Sequence, residues 1–341
     1  MDKLIQLFKN LRKKKYLTLG YKGKFAFVGI GQHSMNNLYP ILNYLRVPIK
    51  YIVVNSQKNA ELIKNNFEHL EGTTDFDEVL NDAEIRGVFI CANPKSHFSL
   101  VKKSLENDKN VFVEKPPCTT SEELKSLIEL EKKSKGTCMV GMQKRYSPIV
   151  QTLKNKIKND LISYNYRFIT GAYPEGDSVL DLFIHPIDLI VHLFGEFKVL
   201  SIQKSKNRSF FIHLNHNGCI GNIELSTEYS WKNAEENMIL NTSSGIYSMK
   251  NLELLTFEKK SKTIFSIPIE KVKKMDEYVQ ILYNRNNFNP ILDNNQLVTS
   301  GYYAEIENFV HICEKNSGEN KTRLSDLSAT FELMNLLKEQ K

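Results

Sequence analysis

From Lys24 to about residue 146, apolar and polar positions alternate in a regular rhythm. Short β-branched or aromatic runs are each followed by a segment with apolar residues at helical spacing. Phe25-Ala26-Phe27-Val28 predicts a strand, and Leu38, Ile41, Leu42 and Leu45 predict the helix after it. Ile49–Val54 predicts a second strand, with a helix from about Lys58. Leu70 opens a weak third strand, and Thr74, Asp75 and Asp77 open a short helix ending near Leu80. Val88–Cys91 and Val111–Val113 are strand-like and separated by a helix through Leu100, Val101 and Leu105. Ser121, followed by Glu122 and Glu123, starts another helix before the sixth strand, Cys138–Val140. Repeated strand–helix units imply a doubly wound parallel sheet with right-handed crossovers.

After about residue 146 the rhythm changes. Ser163–Thr170, Val199–Lys204, Phe210–Asn215, Ile220–Ser226 and Asn237–Asn241 are longer alternating runs, interrupted by one helix, Leu180–Phe194. Helices at Tyr302–Glu314 and Leu324–Lys338 close the chain, and the polar stretch Asn284–Asn295 reads as a loop. The fold class is therefore α/β: an N-terminal doubly wound parallel sheet, then a C-terminal α/β domain with a large, mainly antiparallel open sheet. The divisions fall at 1–23 (a basic helical extension), 24–146 and 147–341, and the last helix is a candidate to return to the first domain.

With 341 residues the chain is long enough for two cores. Its net charge of +7 comes from lysines interleaved with 39 acidic residues, which suits anionic small molecules and argues against a nucleic-acid surface. Five cysteines, Cys91, Cys118, Cys138, Cys219 and Cys313, form no CxxC pair, so a reducing, cytoplasmic location is expected. No apolar run is long enough for a spanning helix. Near the N-terminus Leu4, Ile5, Phe8 and Leu11 recur at helical spacing beside Lys9, Arg12, Lys13, Lys14 and Lys15, without a signal peptide's apolar core or cleavage site. This segment is expected to pack on the first domain, with no stable membrane association; weak docking to an anionic membrane or a partner is the alternative.

The first strand-to-helix turn reads Gly29-Ile30-Gly31-Gln32-His33-Ser34. Two glycines there permit a tight turn and close backbone approach by a pyrophosphate at a helix N-terminus, the pattern of a dinucleotide site. After the second strand come Asn55, Ser56 and Lys58, with no carboxylate until Glu61. NAD sites usually carry an acid here, so Ser56 and Lys58 give NADP a slight preference. Glu114 and Lys115 end the fifth strand in VFVEKPP, where a desolvated lysine can take part in proton chemistry.

GIGQHS, CANPKSHFSL (91–100), VFVEKPP, VGMQKRYSP (140–148) and LDLFIHPIDLIVHLFGE (180–196) occur in one order. That order resembles the glucose-fructose oxidoreductase / inositol dehydrogenase / rhizopine catabolism family of NAD(P)-dependent oxidoreductases, over about residues 24–340. The resemblance implies a Rossmann domain, NAD(P)(H) as cofactor, no metal, and a carbohydrate-like substrate. It also implies homo-dimers or homo-tetramers formed through the C-terminal sheet. It makes Lys115 the active-site lysine, Asp181 the aspartate and His185 the general acid/base. Asn93, Pro94, His97 and Glu114 join Gly29–Ser34, Asn55, Ser56 and Lys58 around the cofactor, with His97 in a packing or capping role. Arg145, Tyr146 and Asp188 are substrate-contact candidates. His192 beside His185 and two aspartates is read against a metal site, and His213 and His216 as structural. The chain departs from the family pattern at Tyr173–Ser178, where a glycine-rich segment is common, and at Phe183. The resemblance also admits two other functions: a non-catalytic dinucleotide-binding regulator, and a glycoside hydrolase acting by transient oxidation.

Overall fold

The structure is a computed structural model and describes residues 2–17, 20–157, 160–205, 208–273, 278–288, 292–315 and 318–340. Helix α1 spans Asp2–Leu17. The first layer then runs β1 (Lys24–Val28), α2 (Tyr39–Leu45), β2 (Ile49–Val53), α3 (Gln57–Asn66), β3 (Glu71–Thr73), α4 (Phe76–Asn81), β4 (Ile85–Ile90), α5 (Pro94–Glu106), β5 (Asn110–Glu114), α6 (Ser121–Glu131) and β6 (Cys138–Gly141). The six strands are parallel in the order β3-β2-β1-β4-β5-β6. The order reverses between β1 and β4, which opens a crevice at their carboxyl ends.

Strand alternation explains why both faces are covered. Ala26, Val28, Val88, Ile90, Val111 and Val113 face one core, while Phe25, Phe27, Phe89 and Phe112 face the other. The phenylalanine face is closed late in the chain by α10 (Tyr302–Lys315), which follows the short α9 (Gln296–Thr299). Phe309 packs its ring 5.0 Å from Phe89 and 5.8 Å from Phe112. The final helix, α11 (Ser328–Lys338), lies between α6 and α8 (Ile184–Phe194), with Asn335 donating to Ser121 Oγ at 2.7 Å.

The second sheet contains β7 (Leu161–Ile169), β8 (Lys198–Lys204), β9 (Ser209–His216), β10 (Cys219–Ser226), β11 (Glu235–Thr242), β12 (Gly245–Lys250) and β13 (Leu254–Lys259). A two-stranded ribbon, β14 (Thr263–Ile264) and β15 (Ile267–Pro268), precedes its last strand, β16 (Val279–Asn284). Its order is β16-β13-β12-β11-β7-β10-β9-β8, antiparallel except for β7 beside β10. Inward-facing Tyr164, Tyr166, Ile212, Leu214, Leu225, Met238 and Leu240 pack beneath α8.

The sequence pattern missed β12, β13 and β16, six-residue strands in which polar residues such as Ser248, Thr256 and Gln280 break up the apolar run. It also missed α7 (Pro148–Ile157), which leads from the first layer into the second. Asn284 closes β16, so the expected loop begins within a strand; positions 289–291 of it lie outside the described residues. The N-terminal segment is helical, yet its apolar stripe faces outward: Leu4, Ile5, Leu7 and Leu11 are 47–71% exposed. That corrects the expectation of a helix buried on the first domain.

Candidate active site

The crevice at the strand-order reversal is a cleft of about 930 Å³ whose wall is the turn after β1. Gly29 sits at φ +98°, and a Cβ there would lie 2.3 Å from the Cys91 carbonyl oxygen, so both backbone and space require glycine. Gly31 has nothing within 4 Å of its would-be Cβ, which leaves its backbone open to close approach. Ser34 is fully buried and closes the turn: its hydroxyl accepts from the Gly31 N–H and donates to the Gly31 carbonyl, both at 2.9 Å. Gln32 and His33 begin the following helix, whose first-turn N–H groups and dipole favour an anion. An open glycine turn, a helix N-terminus and amide side chains along the wall fit a dinucleotide.

At the end of β2, Asn55 lines the cleft. Ser56 is committed as the N-cap of α3, its hydroxyl accepting from the Asn59 N–H at 3.3 Å. Lys58 is exposed and outside the lining, while Asn59, Leu62 and Ile63, which sequence reasoning passed over, form part of it. The neighbouring side chains of a helix start were the available signal. Asn93 caps α5 by accepting from the Lys95 N–H, and Pro94 is the first helical residue. His97 is 1% exposed, with Nδ1 2.7 Å from the Pro116 carbonyl and Nε2 3.0 Å from that of Ala92. Burial lowers its pKa, so it is a neutral tie between two loops of the cleft.

Glu114 and Lys115 leave β5 at the cleft floor. Glu114 is 5% exposed, packs on Gly141, and places Oε1 3.3 Å from His33 Nε2. Lys115 Nζ donates to the backbone carbonyl of Asp181 at 2.6 Å, joining the first layer to the start of the α8 segment. Burial lowers the Lys115 pKa, while Glu114 and Asp181 oppose the shift. The Asp181 carboxylate is held between Tyr173 and Gly176, where a Cβ would fall within 2.3 Å of its Oδ2. Burial raises its pKa against the pull of Lys115.

His185 follows one turn later, on α8. Burial first, and then the charges of Lys115, Lys144 and His33, hold its pKa well below 6.5. It is therefore a neutral imidazole able to accept a proton. Lys144 is a component that sequence reasoning left unnoticed, although it adjoins Arg145 in the MQKRY motif. Its Nζ lies 2.7 Å from Glu236 Oε2 and 4.9 Å from the centre of the Phe168 ring, and Tyr166 donates to Glu236 Oε1 at 2.7 Å.

The three substrate-contact candidates are placed elsewhere. Arg145 and Asp188 form a two-pronged ion pair, Nε–Oδ2 at 2.8 Å and Nη2–Oδ1 at 2.5 Å, with side chains 4% and 2% exposed. Arg145 also donates to the Lys321 carbonyl, and the Tyr146 hydroxyl accepts from Asn308 and from the Lys321 N–H. These groups tie the layers together and do not line the cleft. His192 lies beside Lys154, 3.3 Å away, and among the described residues no cluster of three His, Cys, Asp or Glu is placed to hold a metal. His216 meets Tyr164 Oη at 2.9 Å and His213 meets Ser201 Oγ at 2.8 Å, inside the second sheet.

Residues 23–142 match the family model described as oxidoreductase family, NAD-binding Rossmann fold. The uncharacterized oxidoreductase YhhX of Escherichia coli (strain K12) is 32% identical over 142 residues, 38% of this chain and 41% of that protein. An inositol 2-dehydrogenase/D-chiro-inositol 3-dehydrogenase of Lacticaseibacillus casei is 32% identical over 119 residues, 32% of this chain and 34% of its own length. The matched stretch thus spans well under half of these curated relatives. A dehydrogenase structure from Chromobacterium violaceum superposes with a TM-score of 0.76 at 20% identity, covering 93% of this chain and 95% of that one, which shows the shared two-layer fold.

Proposed function

We propose, from the premise that this chain belongs through residues 23–142 to the Gfo/Idh/MocA oxidoreductase family, that it is an NAD(P)-dependent oxidoreductase. Its substrate would be a secondary alcohol or ketone of a sugar, nucleotide sugar or cyclitol. Residues 24–146 would hold the dinucleotide and residues 147–341 the substrate. The observation that carries this reading is that Lys115, which lines the glycine-turn cleft, donates to the Asp181 carbonyl and acts electrostatically on His185, while Asp181 and His185 stand behind the cleft lining.

A bound nicotinamide dinucleotide would supply the two-electron acceptor or donor. The chain's own residues handle the proton and the oxygen. Lys115, anchored by the Asp181 carbonyl, points a cation at the cleft floor, where it stabilises negative charge developing on a substrate oxygen. His185, kept neutral by burial and the nearby charges of Lys115 and Lys144, takes the hydroxyl proton during oxidation and returns it during reduction. Asp181, positioned by Tyr173, balances the lysine and fixes the entrance to the α8 segment. The likeness to an inositol dehydrogenase supports a polyol substrate.

NADP preference in this reading rests on Lys58 alone, because Ser56 is committed as a helix cap. Dimer or tetramer formation would use the outer face of the second sheet, where Phe211, Ile220, Ile239 and Ile246 are 39–49% exposed. Five free thiols accord with a cytoplasmic location. The direct test offers the purified protein NAD or NADP with a panel of cyclitols, hexoses and nucleotide sugars and follows reduced nicotinamide. Turnover abolished by Lys115→Ala and His185→Ala supports the assignment. Tight dinucleotide binding without turnover of any panel member would favour a regulator, and product without net redox change a hydrolase.

A further inference from the structure

The cleft chemistry leaves α1 unused, and none of its residues lines the cleft. We propose that α1 docks reversibly on an anionic lipid surface, lying in the plane of the headgroups. Leu4, Leu7, Phe8 and Leu11 fall at i, i+3, i+4 and i+7, so they share one face of the 16-residue helix. They are 71%, 57%, 59% and 59% exposed, and Ile5 beside them is 47% exposed. A stripe with this spacing normally turns toward a core. Here it faces outward.

Charge selects the occupant. Within residues 2–17 there are six cations (Lys3, Lys9, Arg12, Lys13, Lys14 and Lys15) and one acid, Asp2, so the helix carries five of the chain's seven net positive charges. The rest of the chain carries only the remaining two net positive charges, so the cations are concentrated on α1. An apolar stripe flanked by concentrated cations matches a surface that is negative at the headgroups and apolar just beneath, which a bilayer containing acidic lipids supplies. At 1.5 Å per residue the helix is about 24 Å long, short of the roughly 20 residues needed to span a bilayer. No helix among the described residues is long and apolar enough to cross, so in-plane binding is the geometry left to it. One short amphipathic helix gives reversible attachment.

Co-sedimentation of the full chain with vesicles tests this. Vesicles of phosphatidylcholine alone are compared with vesicles containing phosphatidylserine. About tenfold more protein should pellet with the anionic vesicles, and the difference should collapse in about 1 M salt, where the screening length falls to about 3 Å. The double substitution Leu4→Glu/Leu11→Glu should abolish binding while dinucleotide binding, read by fluorescence, is unchanged. Equal pelleting with neutral and anionic vesicles overturns the proposal, as does equal pelleting of wild type and variant. A lipid-free dimer that the same substitution dissociates also overturns it, by showing that a second copy covers the stripe.

Discussion

Lys115 Nζ donates to the backbone carbonyl of Asp181 at 2.6 Å, a contact made across the two layers between residues 66 positions apart. The lysine is thus aimed by main chain, so its aim does not depend on the charge state of the Asp181 carboxylate. Lys115→Ala should lower kcat by about 10²–10³-fold, the usual cost of removing one preorganised donor, with dinucleotide affinity little changed. Steady-state kinetics beside a binding titration separates the two; equal loss in both would make the lysine a cofactor contact only.

The pH profile should carry the signature of two depressed groups. In the proposed alcohol oxidation His185 acts in its neutral form, and its pKa lies well below 6.5, so the acid limb of kcat/KM should fall below pH 6.5. Lys115 must be charged, and its pKa lies below 10.5, so the alkaline limb should begin below that value. His185→Gln should abolish the acid limb in whatever activity remains. An acid limb at or above 6.5 would contradict a desolvated imidazole.

Arg145 and Asp188 are a buried pair, and breaking it leaves one charge stranded. Arg145→Met alone should destabilise the fold by about 3–5 kcal/mol, and Arg145→Met/Asp188→Leu should recover most of that loss. Urea denaturation of the single and double variants measures the difference. A single variant as stable as the wild type would mean that the pair opens in solution.

Glu305 on α10 is fully buried, and among the described residues no side chain hydrogen-bonds its carboxylate, the Met142 backbone being its polar neighbour. Burial, then the neighbouring Glu114, raises its pKa well above 4.5. A raised folded-state pKa means that its contribution is fully present below 4.5 and is lost as pH rises toward the folded value. Glu305→Gln should therefore stabilise the protein at neutral and higher pH by about 1–3 kcal/mol, with the gain vanishing in acid. Thermal melts from pH 4 to pH 8 would show the divergence; parallel curves would argue that the carboxyl is ionised in the fold.

On the proposed NADP reading, Lys58, exposed just outside the cleft lining at the start of α3, is the residue to test. Lys58→Ala should raise KM for NADP about tenfold and leave KM for NAD unchanged, the loss expected for one charge-assisted contact. If both cofactors respond alike, the preference has another origin.

The chain determined by itself whatever depends on local periodicity. The six parallel strands, the glycine turn after β1 and the pairing of Asp181 with His185 on one helical run are all visible as spacing, because a buried strand or an amphipathic helix must write its period into the sequence. Strands β12, β13 and β16 escaped, since each is only six residues long and polar residues such as Ser248, Thr256 and Gln280 break its apolar run. Only the tertiary structure decided where each polar group ends. Arg145 and Asp188 are 43 positions apart and close on each other in the interior, although both sit in motifs that suggest substrate. Ser56 is committed to a cap, and Lys144 is drawn toward His185 by strands of a different sheet. α1 shows the converse. Its stripe was legible as a helix, but a stripe states only that something apolar must cover it, and the fold leaves it exposed. Hydrophobic period is a local property of a segment; the partner of a charge, or of an apolar face, is a property of the whole chain.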